Sequence, residues 1–494
     1  MVTAGRLAGG AAWSVAGKLF QLAVGLAALT LIARWVGPEA YGVFALSWVV
    51  VGLADLVVSA APSDTLVQRR ELRDGHCNAT FAGALATAFA AWALIAAGAD
   101  TVAGWLGGGA VLAAILPLRA ATLPLSAAAA VPTALLMREQ RFKAIAGAGA
   151  AAGVLSSLVG IGAALAGAGI WSLVAMELVR QLATTVLVLR LARWRPGLRA
   201  RRADAADLLA FNASTWGALG LNYADGQLPR ILIASSLGTE ALGLYALAHR
   251  LFDQVGAVLM VPAYQVLMPG VSRVQADRDA ARRLAVSMMR AAAVVASPLF
   301  LGLAAVAGLL VPLVFGEAWA GAVPVVQLLM LLGIRSSMSM VQMAVVRGMG
   351  RPHWHLAGAA LGLALTVALT TAALDYGLLA VTAAMVVRSF LMWVPYAWFV
   401  RRLTGLTAAQ QAGATAGPTL AALAMAAITS AFVAWVGQSL PAAAALAAAV
   451  VVGATTYVAA LPLFAPSAAA FVMSALGTLA RRDLKALRAL FAGG

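Results

Sequence analysis

Apolar residues along this chain run in long stretches, separated by short polar or charged segments. A transmembrane helix needs about 20 predominantly apolar residues, and fourteen stretches are long enough. Their approximate bounds are 11–34, 41–62, 78–98, 109–133, 144–167, 170–192, 208–235, 242–269, 284–315, 322–346, 354–374, 377–399, 412–436 and 441–464. The pattern predicts an all-α integral membrane protein with about 14 transmembrane helices.

Composition excludes a soluble protein of several domains. Hydrophobic residues make up 63% of the 494 residues and charged residues only 11%, whereas soluble domains carry about 25% charged residues. The single cysteine, Cys77, excludes a disulfide or a thiolate metal cluster. Four histidines without a metal-binding motif argue against a metal enzyme. We therefore expect neither a metal nor a cofactor.

The charges between the stretches predict the orientation in the membrane. Lys and Arg number 34 against 18 Asp and Glu, and the cations concentrate in alternate loops. The intervening loops carry mainly acidic residues: Glu39, Asp100, Glu240, Glu317 and Asp375. By the positive-inside rule both termini lie in the cytoplasm. The net charge of +16 is therefore explained by the orientation of the chain in the membrane and not by nucleic-acid binding. The predicted outward loops are short and leave no room for a catalytic site.

An internal repeat relates the two halves of the chain. LIARWVGPEAYGVFAL (31–46) and LIASSLGTEALGLYAL (232–247) share nine of sixteen positions at an offset of 201. A weaker match aligns 175–182 with 383–390. Six predicted spans separate the copies, so both copies have the same orientation in the membrane. Such parallel repeats flank a midplane binding site in alternating-access transporters.

The repeat predicts two pseudo-symmetric six-helix lobes followed by two further helices. The lobes cover 1–200 and 201–404. Residues 405–494 hold the last two spans and a basic tail, which is either an amphipathic helix at the inner surface or unstructured. The basic segment 193–207 links the lobes.

Ionisable side chains inside the predicted spans are the candidate functional residues, since a charge in a membrane is costly unless paired or hydrated. Seven are basic and four acidic, which suits an anionic ligand such as a phosphate or pyrophosphate. The basic set is Lys18, Arg119, Arg180, Arg230, Arg250, Arg335 and Arg388. The acidic set, candidates for ion coupling, is Asp55, Glu177, Asp225 and Asp253.

Two interpretations of these charges stay open. Glu177 with Arg180, and Arg250 with Asp253, are three residues apart and could neutralise each other on one helix face. Lys18 and Asp55 could pair between adjacent spans. The arginines at positions 119, 180, 335 and 388 occupy matching helices of the two lobes, and could instead form a basic ring around a cavity.

Polar stripes favour a hydrated cavity, although hydrogen bonding between helices would also explain them. One stripe on the first span contains Lys18 and Gln21. Another on the second contains Trp48, Gly52, Asp55 and Ser59, and a third contains Thr215, Asn222 and Asp225.

The hairpin LIARWVGPEAYGVFAL, the basic segment LVQRRELRDGH and the second hairpin ILIASSLGTEALGLYALAHRLFDQ resemble a known family. They are similar to the polysaccharide transporters of the multidrug/oligosaccharidyl-lipid/polysaccharide exporter superfamily. The resemblance implies a V-shaped pair of six-helix bundles. It also implies a flippase in the bacterial inner membrane that moves undecaprenyl-pyrophosphate-linked oligosaccharide repeat units for O-antigen, capsule or exopolysaccharide synthesis. Membrane lipids, polysaccharide polymerase and chain-length proteins are the candidate partners.

Two other functions remain open within this superfamily. Relatives that flip the peptidoglycan precursor carry basic cavity residues on the first, second and eighth helices. Lys18 and Arg250 fit that arrangement, whereas the second helix here carries Asp55. A drug or cation antiporter would need unpaired carboxylates in its cavity, and the basic excess argues against it.

Overall fold

A computed structural model shows an α-helical chain. It describes residues 4–68, 72–195, 197, 202–273, 277–349, 352–436, 439–466 and 468–470, and these contain no strand. The predicted basic tail at 471–494 and residues 196 and 198–201 of the predicted link at 193–207 lie outside the described residues.

Seventeen α-helices make up nearly all of the described residues. Their bounds are α1 Ala4–Asp55, α2 Ala61–Gln68, α3 Asp74–Ala97, α4 Ala99–Trp105, α5 Gly109–Ala120, α6 Thr122–Arg138, α7 Phe142–Leu165, α8 Trp171–Ala192, α9 Arg202–Arg273, α10 Arg278–Phe315, α11 Val323–Met330, α12 Leu332–Gly348, α13 Pro352–Ala373, α14 Leu378–Leu391, α15 Trp393–Thr404, α16 Ala408–Val436 and α17 Ala442–Phe464. A π-helical segment, Leu56–Ala60, joins α1 to α2.

Two glycines interrupt the two longest helices. Gly37 in α1 has φ 76° and ψ 168°, and Gly238 in α9 has φ 91° and ψ 170°. This region of backbone conformation is essentially restricted to glycine. The two positions align in the repeat at the offset of 201. The repeat therefore encodes the same backbone break twice.

The predicted count of fourteen spans is not confirmed. Among the described residues, 11 helices are long and apolar enough to cross a membrane, or 12 if the pair bent by 42° at Leu331 forms one span. The difference arises at the glycine breaks. Ala27–Ser59 covers parts of the first two predicted spans, and Gly220–Ala257 covers parts of the seventh and eighth.

The chain divides into two compact units, Met1–Ala246 and Leu247–Gly494. In the first, α1, α3, α5 and α6 bury a core of Val51, Val58, Ala88, Leu123 and Ala127. In the second, α10, α12 and α15 bury Met289, Val341, Val345 and Val400. The small alanines allow close helix packing in a membrane, where association depends on contact rather than on a hydrophobic force. The predicted division at residues 200 and 404 stays a prediction.

Candidate functional site

Glu177 lies at the centre of a charged cluster in the first unit. Its side chain projects from α8 and is buried. Arg180, one turn further along α8, donates Nε–H to Glu177 Oε2 over 2.9 Å, and its Nη2 donates to Oε1. Arg119 of α5 places Nη2 3.9 Å from the same Oε1. The pair expected on α8 is therefore present, and a second arginine from another helix shares its carboxylate.

Arg119 is enclosed by aromatic and polar groups. Its guanidinium carbon lies 4.4 Å from the centroid of the Trp48 ring and 5.8 Å from that of Phe44. Its Nη1 donates to Thr122 Oγ1 over 3.2 Å, whereas its Nε is buried with no hydrogen-bond partner. Leaving a buried donor unsatisfied costs about 1–3 kcal/mol. The cluster therefore holds the guanidinium by stacking and charge while one N–H stays unbonded.

A helix break positions Arg119. Helix α5 ends at Ala120 and α6 begins at Thr122. Pro124 has no N–H to donate to the carbonyl of Ala120, so the hydrogen-bond ladder is interrupted there. Beside this interruption the Thr122 hydroxyl donates to the carbonyl of Arg119 over 2.8 Å while accepting from the guanidinium. At this break one hydroxyl therefore holds both the backbone and the side chain of Arg119.

The cluster has a buried centre and two accessible members. The side chains of Arg119 and Glu177 are 3% and 6% exposed, whereas that of Arg180 is 38% exposed. Trp48, stacked on Arg119, is 37% exposed. A ligand would therefore meet the indole and the Arg180 guanidinium, not Arg119 itself.

Asp55 forms a second polar centre on the same face of α1 as Trp48. Its Oδ1 accepts from Ser59 Oγ over 3.0 Å and from Ser126 Oγ of α6. The predicted partner Lys18 has its side chain outside the described part of the chain, as has Gln21. Ser126 was missed by the sequence analysis. It lies seven residues after Arg119, a helical spacing that would have placed both on one face, but the break after Ala120 conceals it.

Tyr223 was also missed, and it anchors α9 to α1 within the first unit. Its hydroxyl lies 2.9 Å from the Trp48 carbonyl oxygen and 2.8 Å from that of Val49, and donates to them. A Cβ atom at Gly52 would overlap this hydroxyl. The only sequence signal was its place beside Asn222 in the third polar stripe. Trp48 and Gly52 of the second stripe thus face protein groups rather than lipid.

Arg335 and Arg388 lie on neighbouring helices of the second unit. Arg335 of α12 donates Nε–H to Ser389 Oγ of α14 over 3.0 Å, and its Nη1 is buried with no hydrogen-bond partner. Arg388 donates Nε–H to the Gly362 carbonyl of α13 over 3.3 Å. Two of the four arginines proposed for the ring thus lie on contacting helices in each unit, a pairing that the sequence analysis did not predict. The ring that would combine both pairs stays a prediction.

The predicted pairing of Arg250 with Asp253 does not form. Asp253 Oδ2 lies 3.1 Å from His249 Nδ1, one turn earlier on α9, and Arg250 Nε is buried with no hydrogen-bond partner. Spacings of three and four residues both place groups on one helix face, so the sequence did not separate the two choices. Arg230 donates to Gln227 Oε1 over 2.8 Å, and Asp225 is half-buried and has an interaction partner.

The described residues include no group of three or more His, Cys, Asp or Glu placed to hold a metal ion. What the site offers is cationic and aromatic. Two guanidiniums share one carboxylate, which leaves a net positive charge in the cluster. Guanidinium groups bind phosphate oxygens through paired hydrogen bonds.

Comparison with known proteins agrees with this chemistry. Residues 31–324, more than half of the chain, match the family described as "Polysaccharide biosynthesis protein". The succinoglycan biosynthesis transport protein ExoT of Rhizobium meliloti (strain 1021) is 26% identical over 421 residues, 84% of each chain. The lipopolysaccharide biosynthesis protein WzxC of Escherichia coli (strain K12) is 25% identical over 337 residues, 66% of this chain and 67% of that one.

A solved structure shows the same fold. The inward closed conformation of the lipid II flippase MurJ superposes with a TM-score of 0.74 at 12% identity, covering 91% of this chain and 98% of that chain. The expected all-α exporter fold is thereby confirmed. An identity of 12% does not show that the two proteins share a substrate. The chain belongs to the polysaccharide biosynthesis protein family and is a multi-pass membrane protein.

Proposed function

We propose that this protein flips undecaprenyl-pyrophosphate-linked oligosaccharide repeat units across the bacterial inner membrane, before their polymerisation into O-antigen, capsule or exopolysaccharide. The observation that carries the proposal is the cluster in which Arg119 and Arg180 share Glu177. Its surplus positive charge matches a pyrophosphate, and the named transport role of ExoT in succinoglycan biosynthesis supports a saccharide cargo.

Transport would proceed by alternating access. The head group binds inside the protein while the polyprenyl chain stays in lipid, and rocking of the two repeat halves exposes the site to each side in turn. Both termini lie in the cytoplasm, because the cations concentrate in alternate loops. Arg335 and Arg388 supply a second basic pair on the substrate path, and Lys18, Gln21 and Arg250 complete the set of proposed contacts. A polymerase and chain-length proteins would receive the flipped unit.

Energy coupling would act through an intramembrane carboxylate or through the membrane potential. Asp55 is half-buried and bonded to two hydroxyls, so its protonation would change a defined network; Asp225, Glu177 and Asp253 are the other candidates. The potential acts on a charged site by about 2.3 kcal/mol per charge per 100 mV. The coupling ion is a proton or a sodium ion. Transport in proteoliposomes under an imposed pH gradient tests proton coupling, an imposed sodium gradient tests sodium coupling, and a response to neither leaves the membrane potential.

Gene deletion tests the proposed substrate. Lipid-linked glycans and surface polysaccharide are measured together in the deletion strain and in a strain that carries the gene on a plasmid. We expect viable cells that lose one polymer and accumulate its undecaprenyl-pyrophosphate repeat unit, with recovery on complementation. Lysis with accumulated peptidoglycan precursor would assign the flippase to lipid II. Unchanged glycans with new sensitivity to cationic dyes would assign a drug or cation antiporter.

A further inference from the structure

The two accessible members of the Glu177 cluster differ in chemistry. Trp48 offers an indole face, and Arg180 offers a guanidinium edge. They are joined through buried groups, since Trp48 stacks on Arg119 and Arg119 shares Glu177 with Arg180. Each accessible side chain therefore rests on a partner that restricts its rotation. Such pre-positioned groups lose little entropy when a ligand binds.

Trp48 lies on the polar side of α1. Asp55 and Ser59 lie seven and eleven residues further along, on the same face, and accept or donate hydrogen bonds there. Leu53, which is 53% exposed, lies on the opposite side of the helix. A face that carries a carboxylate does not contact hydrocarbon. The indole thus lies on the polar side of the helix, away from Leu53.

We propose that Trp48 and Arg180 form a bipartite subsite for the junction between sugar and phosphate in a glycosyl pyrophosphate. The indole face packs against the C–H face of the first pyranose ring, because aromatic faces carry partial negative charge and sugar C–H groups carry partial positive charge. The Arg180 guanidinium binds the adjacent phosphate oxygens. Arg119 and Glu177 are positioning residues that hold both groups. This inference rests on the proposed function and specifies which residues recognise the saccharide and its phosphate.

Contacts with Arg119 and Tyr223 hold the indole of Trp48 in place when no ligand is bound. Arg119 occupies one ring face at 4.4 Å, and the Tyr223 hydroxyl binds the backbone carbonyl of Trp48 from α9. A cation stacked on one face of an indole is attracted to the electrons of the ring. The side chain and its backbone are therefore both held, while part of the ring remains available to a ligand.

Binding measurements with two lipids test the subsite. Native mass spectrometry of the purified full-length protein would compare undecaprenyl pyrophosphate with the undecaprenyl-pyrophosphate-linked repeat unit extracted from the deletion strain. We expect wild type to prefer the glycan lipid by about tenfold. Trp48→Leu loses that preference but still binds the bare lipid, and Trp48→Phe keeps most of it. Arg180→Gln weakens both lipids by the same factor. Trp435→Leu, at a site that is 78% exposed on α16, is the matched control and changes neither affinity.

The outcomes separate the inference from the proposed function. Wild-type protein that binds neither lipid overturns both. Equal binding of the two lipids by wild type, or an undiminished preference in Trp48→Leu, overturns the subsite alone. Loss of preference in Trp48→Phe as complete as in Trp48→Leu also overturns it, because a smaller aromatic face should still stack. Thermal unfolding of each variant in detergent confirms that it is folded.

Discussion

Gly42 and Gly243 make reciprocal contacts, because each packs against the backbone of the hairpin that contains the other. A Cβ atom on Gly42 would overlap the carbonyl oxygen of Thr239, and one on Gly243 would overlap that of Pro38. Both pairs align in the repeat at the offset of 201. The two hairpins thus meet through a self-complementary contact within one chain, like the identical patches of a twofold dimer.

We expect Gly42→Ala and Gly243→Ala each to separate these hairpins. Neither neighbouring carbonyl can move aside like a flexible side chain, and such overpacking costs about 1–3 kcal/mol. The arrangement in which the two hairpins are in contact should become about tenfold less populated. The measurement is labelling of an introduced thiol, Ala45→Cys, with a membrane-impermeant reagent. Ala45 is buried, and the one native cysteine, Cys77, is buried as well.

A glycine with free space provides the control for this labelling. A Cβ atom on Gly25 would meet nothing within 4 Å, so Gly25→Ala should leave the labelling rate unchanged. Equal rates in Gly42→Ala and in the parent would show that the hairpins do not depend on glycine contact.

Gly37→Ala and Gly238→Ala should destabilise the protein through the backbone itself. Their φ values of 76° and 91° with ψ near extended lie in a region that only glycine adopts without strain. We expect each change to lower the free energy of unfolding by about 1–3 kcal/mol, measured by thermal unfolding in detergent. Gly226→Ala, also with nothing within 4 Å, is the control. A melting temperature equal to that of Gly226→Ala would contradict this reading of the hairpins.

Glu177→Gln should be more damaging than loss of either arginine. It removes the one carboxylate that Arg119 and Arg180 share, and leaving a buried charge without its partner costs about 3–5 kcal/mol. Protein abundance and thermal unfolding report the loss. Combining Glu177→Gln with Arg119→Gln should recover part of the stability, because the buried cation is removed as well. Additive losses in the double variant would show that the two residues are not coupled.

Arg335→Gln and Arg388→Gln should impair export without lowering protein abundance. Arg335 already has one buried nitrogen without a hydrogen bond, so its removal relieves desolvation while deleting a proposed phosphate contact. The readouts are surface polysaccharide and accumulated lipid-linked repeat units in the complemented deletion strain. Arg347→Gln, an exposed change at the end of α12, is the control. Wild-type export from Arg335→Gln, Arg388→Gln and Arg119→Gln alike would exclude the arginine ring.

The pattern of apolar residues and the internal repeat predicted much of the fold. Apolar length predicted the helices, and the repeat predicted two equivalent hairpins, in which the structure places breaks at Gly37 and Gly238. The count of 14 spans is not confirmed, although the backbone breaks at Gly37 and Gly238, between elements that the sequence suggested were separate. On α8, helical spacing alone predicted the contact between Glu177 and Arg180. The same argument failed on α9, where Asp253 contacts His249 and not Arg250.

The sequence by itself determined which segments are helical, where glycine permits a break, and which charges lie in the membrane. These properties depend on neighbours along the chain. Only the tertiary structure decided that Arg119 shares Glu177, that Trp48 stacks on Arg119, and that Asp55 accepts from Ser126. Those contacts join different helices, and their partners depend on how each helix is rotated and how deeply it packs. Spacing along one helix contains no information about the face that a second helix presents.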